Sequence, residues 1–451
     1  MKHLHKLLVV GALALTCACS NDDVSSESIF QPSTLRQTTF DRWLDKEYAT
    51  PYNIQFNYLY NDKLTDNYYN VAPADTSKSK AMAVLLKHVW LDAYTELAGE
   101  DFLRSNCFRV IQLVGSAQYD GQNKIVLGTA EGGIQITLFR LNALDPDNLY
   151  VNQTDPFADK RATPLDLNHW YFHTMHHEFC HILNQKKSYS TEFQEVSAGK
   201  YHSTDWVNVA DSMAPREGFV TGYASGEYNE DFAELYSTYV TCTPAAWQKI
   251  LDRAVAPKTD AAGDTIYAKD KNNNYIYLLD ANKKPIPETD GKGFLKVMTD
   301  ANGKTVYATD KDGKNVYLTD NSGNPIPMYD AQKQVAYKYN NAGKMMAYFV
   351  DGGAWREVTT PKGNPVYQKN ETGGTVYDQA GNPVPAYYKV PVLSYRKQPE
   401  ADTAGREAIL KKLEIMKKYF VEAWNIDLDK LREVVTRRVS EINTLDLKNL
   451  K

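Results

Sequence analysis

Two histidines and a glutamate stand in the order His177-Glu178-Phe179-Cys180-His181. In a helix, residues four positions apart lie on the same face, so both imidazoles can reach one metal ion. Glu178 would then lie next to a water molecule on that ion and could act as its general base. This HExxH spacing predicts a hydrolytic metal site that holds one zinc ion.

The segment from about Asp166 to Gln185 can form the helix that this motif needs, because its apolar residues recur at helical spacing. The alternative is a buried helix that binds no metal. That alternative leaves unexplained why five of the nine histidines in the chain lie between positions 169 and 181. The apolar residues that would bury the helix are Trp170, Phe172, Met175, Phe179, Ile182 and Leu183.

A tetrahedral zinc site needs a third protein ligand. The pattern HExxHxxGxxH is excluded, because Asn184 and Lys187 occupy its glycine and third-histidine positions. Residues 229–235 favour a second helix, with Glu230 and Glu234 on one face. We predict Glu230 as the third ligand and Glu234 as a carboxylate that orients a ligand histidine. The reverse assignment, with Glu234 as the ligand, stays open.

The sequence Asn229-Glu230-Asp231-Phe232-Ala233 resembles the ligand-bearing helix of the gluzincin metallopeptidases. The order HEFxH, tyrosine, then Glu-x-x-Ala-Glu is similar to the catalytic domain of anthrax lethal factor. This resemblance implies that Tyr223 donates its phenol proton to the oxyanion of the tetrahedral intermediate. The alternative for Tyr223 is a packed loop aromatic.

The N-terminus, residues 1–18, resembles a bacterial lipoprotein signal peptide. Its apolar run from Leu7 to Leu15 is too short to span a bilayer. Cys19 is the predicted lipidation site, because the small residue Ala18 precedes it, whereas Thr16 precedes Cys17.

Acidic residues follow this cysteine, as in the surface-export signals of some Gram-negative lipoproteins. We therefore expect an outer-membrane lipoprotein, exposed on the cell surface and held in the membrane by its lipid anchor.

Composition limits the remaining classes of function. The formal net charge of -5 argues against nucleic acid as a partner. Only Cys107, Cys180 and Cys242 follow the leader, and an odd number of cysteines cannot form a disulfide framework. A core must therefore stabilise the fold.

The predicted fold class is α+β: a zincin-like metallopeptidase with a small mixed sheet, helices and a helical lower lobe. After a tether at 19–39, the catalytic domain occupies 40–256 and is completed by helices in 392–451. An inserted all-β module at 257–391 separates these two parts. The segment from Gly133 to Leu138 is predicted as the sheet edge that pairs with an extended peptide substrate.

The inserted module carries an internal repeat. Residues 259–287 recur 40 positions later as residues 299–327, with short Val/Ile-Tyr runs between Asp/Asn/Gly turns. This pattern predicts consecutive β-hairpins. The ends of an inserted module should be neighbours, so Pro257 and Pro391 are expected to lie close together.

As a whole, residues 1–256 and 400–451 resemble the substrate import-associated zinc metallohydrolase lipoproteins, on the stretch Gly128–Gly133, the HExxH motif and residues 229–234. The resemblance implies a zinc hydrolase that accompanies outer-membrane nutrient-import proteins. It implies no particular substrate; a peptide or protein substrate follows from the gluzincin likeness. The alternative is a non-catalytic surface lipoprotein that binds a ligand and retains a structural or vestigial zinc site.

Overall fold

A computed structural model describes residues 37–61, 71–119, 125–126, 128–131, 133–160 and 163–450. The predicted signal peptide, Cys19 and the tether as far as residue 36 lie outside the described residues. The chain divides into two compact units, one within Met1–Asp252 and Ala408–Lys451, the other Arg253–Glu407. No helix among the described residues combines the length and the apolar composition needed to cross a bilayer.

The first unit contains a small mixed sheet, and this confirms the predicted α+β class. Its strands run in the order β1-β2-β6-β5. Strands β1, β2 and β6 are parallel neighbours, and β5 is antiparallel to β6. A separate antiparallel pair is formed by β3 and β4. The strands are β1 (Gln55–Asn57), β2 (Val110–Leu113), β3 (Gln118–Tyr119), β4 (Ile125–Val126), β5 (Gly128–Glu131) and β6 (Gln135–Leu138).

The predicted sheet edge at Gly133–Leu138 is wrong. Strand β6 lies between β2 and β5, so its backbone is hydrogen-bonded on both sides. All four of its residues are buried, including Gln135 and Thr137, whose side chains are joined by a 3.0 Å hydrogen bond. In the sequence, polar Gln135 and Thr137 alternate with apolar Ile136 and Leu138, which is the pattern of a strand with one solvated face. The strand at this edge of the sheet is β5.

Helices make up most of the remainder of the first unit. Several continue through short π-helical turns, as at Asp45–Ala49, Lys87–Leu91 and Asn168–Phe172. The helices are α1 (Thr39–Leu44), α2 (Thr50–Tyr52), α3 (Thr76–Leu86), α4 (Asp92–Ala98), α5 (Glu100–Asn106), α6 (His173–Lys186), α7 (Glu192–Val196), α8 (Ala214–Glu217), α9 (Tyr228–Thr241), α10 (Pro244–Arg253), α11 (Ala404–Trp424) and α12 (Leu428–Glu441).

An aromatic cluster fixes one side of helix α6, the helix that carries the HExxH motif. The ring of Phe179 meets Trp90 edge-on at 5.3 Å and Tyr94 at 5.1 Å between centroids. The hydroxyl of Tyr94 also lies 2.8 Å from Nδ1 of His176. Buried aromatic pairs of this kind contribute about 0.5–1.5 kcal/mol each beyond their area. The opposite side of α6, with His177 and His181, is thereby turned towards α9.

The second unit contains an antiparallel three-stranded sheet of order β10-β9-β8 and a short antiparallel pair, β7 with β11. These strands are β7 (Ala256–Pro257), β8 (Val335–Tyr339), β9 (Met345–Asp351), β10 (Ala354–Glu357) and β11 (Ala401–Asp402). A core that includes Leu318, Phe349 and Tyr388 packs around the three-stranded sheet.

Turns recur every ten residues in the first part of this unit. In each turn an aspartate accepts two backbone N–H groups; Oδ1 of Asp270, for example, accepts from Asn272 at 2.8 Å and Asn274 at 2.9 Å. Single bridges flank the turns, such as Lys269 with Tyr275, in place of continuous hairpin ladders. The 40-residue repeat therefore consists of ten-residue units. The turn aspartates are Asp260, Asp270, Asp280, Asp290, Asp300, Asp310 and Asp320.

A returning segment, residues 383–399, crosses these units in the antiparallel direction. Its bridges run from Tyr377 with Pro383 to Tyr267 with Pro399. Pro391 lies opposite Tyr307 in the middle of this series, whereas Pro257 pairs with Ala401. The predicted neighbour of Pro257, Pro391, is therefore wrong, and Ala401 takes its place. The repeat segment, residues 258–400, ends later than predicted because residues 392–399 are bridge partners of the first repeats.

Excision of the repeat segment should leave the first unit folded. Pro257 and Ala401 are already paired, so a short Gly/Ser linker in place of residues 258–400 can join them without strain. We expect the helical circular dichroism signal per molecule, and the zinc content per molecule, to be close to those of the full chain. Excision of residues 258–390 is the matched comparison, and it should be less soluble because residues 391–399 lose their bridge partners. An unfolded or zinc-free 258–400 variant would contradict this expectation.

Candidate metal centre

Helix α6 places a row of histidines on one face. His173, His177 and His181 are four positions apart, and His169 lies one turn earlier in the adjoining π-helical turn. His176 faces the other way and bonds to Tyr94. The row is therefore separate from the apolar face of the helix and is free to face α9.

Helix α9 supplies the carboxylates. It begins after Glu227, whose Oε1 accepts the backbone N–H of Glu230 at 3.1 Å, as an N-terminal cap does. Glu230 and Glu234 are one turn apart and both face α6. Asp231 points elsewhere: it is buried and forms a 2.6 Å ion pair with Lys412 of α11.

Three side chains converge with the separations of metal ligands. Nε2 of His177 lies 3.0 Å from Oε2 of Glu230 and 3.1 Å from Nε2 of His181, which is 3.4 Å from the same Glu230 oxygen. Donor atoms about 2.0–2.2 Å from a tetrahedral zinc ion are roughly 3.3–3.5 Å apart. The three predicted ligands are thus brought together, and the donor set fits zinc.

Glu234 lies behind this group. Its Oε1 is 2.9 Å from Nδ1 of His177 and 2.8 Å from Nε2 of His173, and its Oε2 accepts a 2.6 Å hydrogen bond from Thr221. His173, His177 and Glu234 form a second set of donors that could hold a metal ion. The two sets use different nitrogens of His177, so they are distinguishable by substitution.

The charges of the site favour a bound cation. Burial alone would lower the pKa of His177, but Glu230 and Glu234 raise it to about 10. Burial alone would raise the pKa of Glu230, but hydrogen bonds from His177 and His181 lower it to about 2. Burial alone would raise the pKa of Glu234 as well, but His173 and His177 hold it well below its usual value, so both carboxylates stay ionised. A bound metal ion would replace the proton of His177 as the positive partner of these carboxylates.

Glu178 lies beside the predicted ligands. Burial raises the pKa of this carboxyl group above its usual value, and His177 and His181 oppose that shift. A carboxylate with a raised pKa is better matched to proton transfer near neutral pH than an exposed one. Its position fits a general base.

Tyr223 covers the predicted ligands from one side. Its ring stacks on His177 with 5.9 Å between centroids and meets Trp206 edge-on at 4.9 Å. Burial first, and then the nearby carboxylate of Glu230, raise the pKa of its hydroxyl, so it stays protonated at neutral pH. The residue as a whole is 39% exposed. It can therefore donate a hydrogen bond to a bound molecule.

Two cavities meet at the site, with volumes of about 540 Å³ and 660 Å³. His177, Glu178 and Tyr223 line both of them. The first extends past Trp206 and His169, and the second is lined by polar groups such as Asn184 and Asn229. Both volumes are in the range of ligand pockets. The site thus has open space on both sides.

Sequence reasoning missed two contributors. Thr221 bonds to Glu234 and Trp206 packs on Tyr223, and neither stands in a motif. The position of His173, one turn before His177 on the same face, predicts that it lines the cleft, and the structure places it in the lining of the first cavity. Its contact with Glu234 was not predicted.

A protein-family model described as "Putative zinc-binding metallo-peptidase" matches residues 33–277, more than half of the chain. The chain belongs to this family. It is also similar to a crystal structure titled as a putative zinc-binding metallo-peptidase from Bacteroides caccae ATCC 43185. That likeness has 24% sequence identity and a TM-score of 0.48, and it covers 94% of this chain and 100% of the other. No curated protein matches this chain.

Family membership supports the predicted class, a zinc metallopeptidase, and zinc as its metal. The described residues supply two sets of His and Glu side chains for a metal ion, and both include His177 of the HExxH motif.

Proposed function

We propose that the chain is a zinc-dependent peptidase of the HExxH gluzincin type, in which His177, His181 and Glu230 hold one zinc ion. The observation that carries the proposal is the triangle of 3.0, 3.1 and 3.4 Å between their donor atoms. Two ring nitrogens and one carboxylate oxygen leave the fourth tetrahedral position open, as hydrolytic zinc sites require.

The residues around the triangle divide the chemistry of peptide hydrolysis. Bound zinc would supply a Lewis acid that polarises a carbonyl group and lowers the pKa of a water molecule. Glu178 accepts one proton from water as the water oxygen bonds to the carbonyl carbon of the substrate. It returns that proton to the peptide nitrogen as the C–N bond breaks, so the amine leaves neutral and Glu178 is restored.

Tyr223 stabilises the negative charge that develops on the carbonyl oxygen, in the role that the likeness to the lethal factor catalytic domain implies. The order of HExxH, Tyr223 and the two glutamates on α9 supports this role, as does the position of the ring over His177. The hydroxyl donates a hydrogen bond that strengthens as the oxygen becomes an anion.

Tyr223→Phe should lower kcat/KM about 100-fold, because the loss of one oxyanion donor costs roughly 3 kcal/mol. The zinc content should not change, since no ligand is removed. Tyr228→Phe is the matched control, because Tyr228 is similarly exposed at 40% and lines neither cavity. Equal kcat/KM for the two variants would exclude Tyr223 from the reaction.

Peptide cleavage is tested directly by incubating zinc-loaded protein with a diverse peptide library and sequencing the fragments by mass spectrometry. We expect peptide fragments that form with zinc-loaded protein and do not form after a chelator has removed the zinc. A protein that holds zinc but cleaves no member of the library would favour the alternative, a non-catalytic ligand-binding lipoprotein.

We further propose that the protein is anchored at the cell surface through lipid on Cys19 and acts beside outer-membrane nutrient-import proteins. The resemblance of residues 1–23 to an exported lipoprotein signal supports the anchor. Support for the import association comes from the resemblance to import-associated lipoproteins. Incorporation of labelled palmitate that is lost in Cys19→Ser tests the anchor.

A further inference from the structure

The returning segment, residues 383–399, has a side-chain period of its own. The pattern Tyr-x-Lys-x-Pro begins at Tyr387 and again at Tyr395, eight positions later. Residues in successive ten-residue units bridge positions two apart on this segment: Tyr307 bridges Pro391, and Tyr317 bridges Lys389. Four units therefore correspond to eight positions, and the 40-residue period of the repeat matches the period of the returning segment.

The two matching periods bring the same side chains together twice. In each set a tyrosine of the repeat bridges a lysine of the returning segment, and two further tyrosines lie beside this pair. The first set, called cluster A, consists of Tyr267, Tyr277, Tyr395 and Lys397, and the second set, called cluster B, consists of Tyr307, Tyr317, Tyr387 and Lys389.

The geometry of cluster A is repeated in cluster B. The lysine Nζ lies 5.5 Å from the ring centroid of Tyr267 in cluster A and 5.6 Å from that of Tyr307 in cluster B. The other two rings meet edge-on in both clusters, with 5.9 Å between centroids in cluster A and 5.6 Å in cluster B. The structure thus contains two copies of one arrangement of three tyrosines and a lysine.

The backbone of the repeat does not require this duplication. The aspartate turns recur in every ten-residue unit, and they are the same inside and outside the clusters. Between the clusters, Val297 bridges Leu393, and this unit folds with neither tyrosine nor lysine at its bridge. A recurrence at every fourth unit is therefore a property of the surface that the fold presents.

Both clusters present aromatic rings and a cation to solvent. Tyr267, Tyr277 and Tyr307 are each 37% exposed. Within the described part of the chain, neither Lys389 nor Lys397 forms an ion pair with a carboxylate; each ammonium group lies over tyrosine rings instead. A ligand with a flat apolar face and a negative charge is complementary to such a cluster.

We propose that clusters A and B bind an acidic polysaccharide, with a carboxylate-bearing sugar at each lysine. The C–H groups on one face of a sugar ring carry partial positive charge and can pack on the negative face of a tyrosine ring. The carboxylate of the same sugar pairs with the ammonium group of the lysine. Eight residues of extended strand place the two clusters roughly 26 Å apart. A polymer of repeating sugars presents the same chemical group at both places.

Other polyanions fit this surface less well. The bridge between the clusters, Val297 with Leu393, is apolar, so cations do not follow one another as closely as the phosphates of a nucleic acid do. Protein partners usually insert aromatic or arginine anchors into desolvated pockets. The tyrosine rings of the clusters are instead themselves exposed, and an exposed ring suits the flat face of a sugar.

Two clusters on one chain should multiply the affinity for a long polymer. A polysaccharide that reaches both clusters should bind about 100-fold more tightly than a trisaccharide of the same sugar, which is too short to span them. Cluster A has an additional ring, because Nζ of Lys397 lies 4.0 Å from the centroid of Tyr275. Asn315 occupies the corresponding position in cluster B, so cluster A should bind a trisaccharide more tightly.

The first test measures retention of the full chain in native gels that contain polygalacturonate, alginate or hyaluronate. Retention by at least one of these polymers is expected. Lys397→Met or Lys389→Met alone should weaken binding about 10-fold or more, and the double variant about 100-fold or more, because methionine keeps the apolar stem but removes the charge. Lys314→Met is the matched control, since Lys314 is an exposed lysine of a repeat turn outside both clusters. Arginine at positions 389 and 397 should retain binding, and this variant covers the case of a misfolded methionine variant.

The second test separates sugar recognition from attraction to any polyanion. Methyl-esterified polygalacturonate keeps the sugar rings and loses the charge, whereas poly-L-glutamate and oligo-dT keep charge without the sugar acid. Each should bind at least about 10-fold more weakly than the preferred polysaccharide. Equal binding of poly-L-glutamate or oligo-dT overturns the proposal, as does equal retention of the wild-type chain and the double methionine variant. Failure to bind all three acidic polysaccharides also overturns it, and none of these results bears on peptide cleavage.

Discussion

Replacing Glu178 by glutamine is expected to lower kcat/KM for a cleaved peptide by about 100-fold to 10,000-fold, the range of general base catalysis. The amide preserves the shape of the side chain but cannot take a proton from water. Because Glu178 lines both cavities and is not one of the three proposed ligands, the zinc content should stay at the wild-type level. Peptide hydrolysis and metal analysis on the same preparation measure both effects.

The matched control for this variant is Glu195→Gln. Glu195 is an exposed residue of α7 and lines neither cavity, so the same chemical change there should leave kcat/KM unaltered. Wild-type cleavage by Glu178→Gln would exclude Glu178 as the base. Loss of zinc together with activity would mean that Glu178 contributes to metal binding.

Local periodicity made the centre of the site predictable. The HExxH spacing determines that His177 and His181 share a face of α6, and the four-residue spacing of Glu230 and Glu234 determines the same for α9. Neither spacing states how far apart the two helices lie. The 3.0 Å contact between His177 and Glu230 is a result of packing, and only the structure provides it.

Contacts between distant positions were not predictable from one sequence. The buried ion pair of Asp231 and Lys412 joins residues 181 positions apart. The choice between β5 and β6 as the sheet edge depends on which strand has a neighbour on each side. Such pairings leave no periodic trace in the segments that form them.

The repeat segment shows a related limit. Its turns were legible, because aspartate and glycine recur where the backbone needs a side-chain acceptor and a positive φ, as at Asp310 and Gly313. Each ten-residue unit nevertheless depends on a bridge to residues 383–399, as Tyr317 does with Lys389. A long-range partner therefore sets the end of the segment, and the local turn pattern does not.

The ligand set is decided by two pairs of substitutions. His181→Ala and Glu230→Ala each remove a proposed ligand, and we expect either change to abolish stoichiometric zinc binding and hydrolysis. The alternative set consists of His173, His177 and Glu234. His173→Ala and Glu234→Ala each remove one donor of this set. These two variants should retain zinc with an affinity only about 10-fold to 100-fold weaker, as is typical when a partner that orients a ligand histidine is lost.

The expected order follows from the nitrogens of His177. Its Nε2 faces Glu230 and His181, whereas its Nδ1 lies 2.9 Å from Glu234. Zinc on Nε2 would leave Nδ1 beside the Glu234 carboxylate, which can hold the ring in place. Zinc on Nδ1 would instead leave Nε2, and with it Glu230 and His181, facing away from the metal. Zinc titration against a competing chelator ranks the four variants. Stoichiometric zinc in Glu230→Ala and His181→Ala, with loss in Glu234→Ala and His173→Ala, would move the ion to the alternative set.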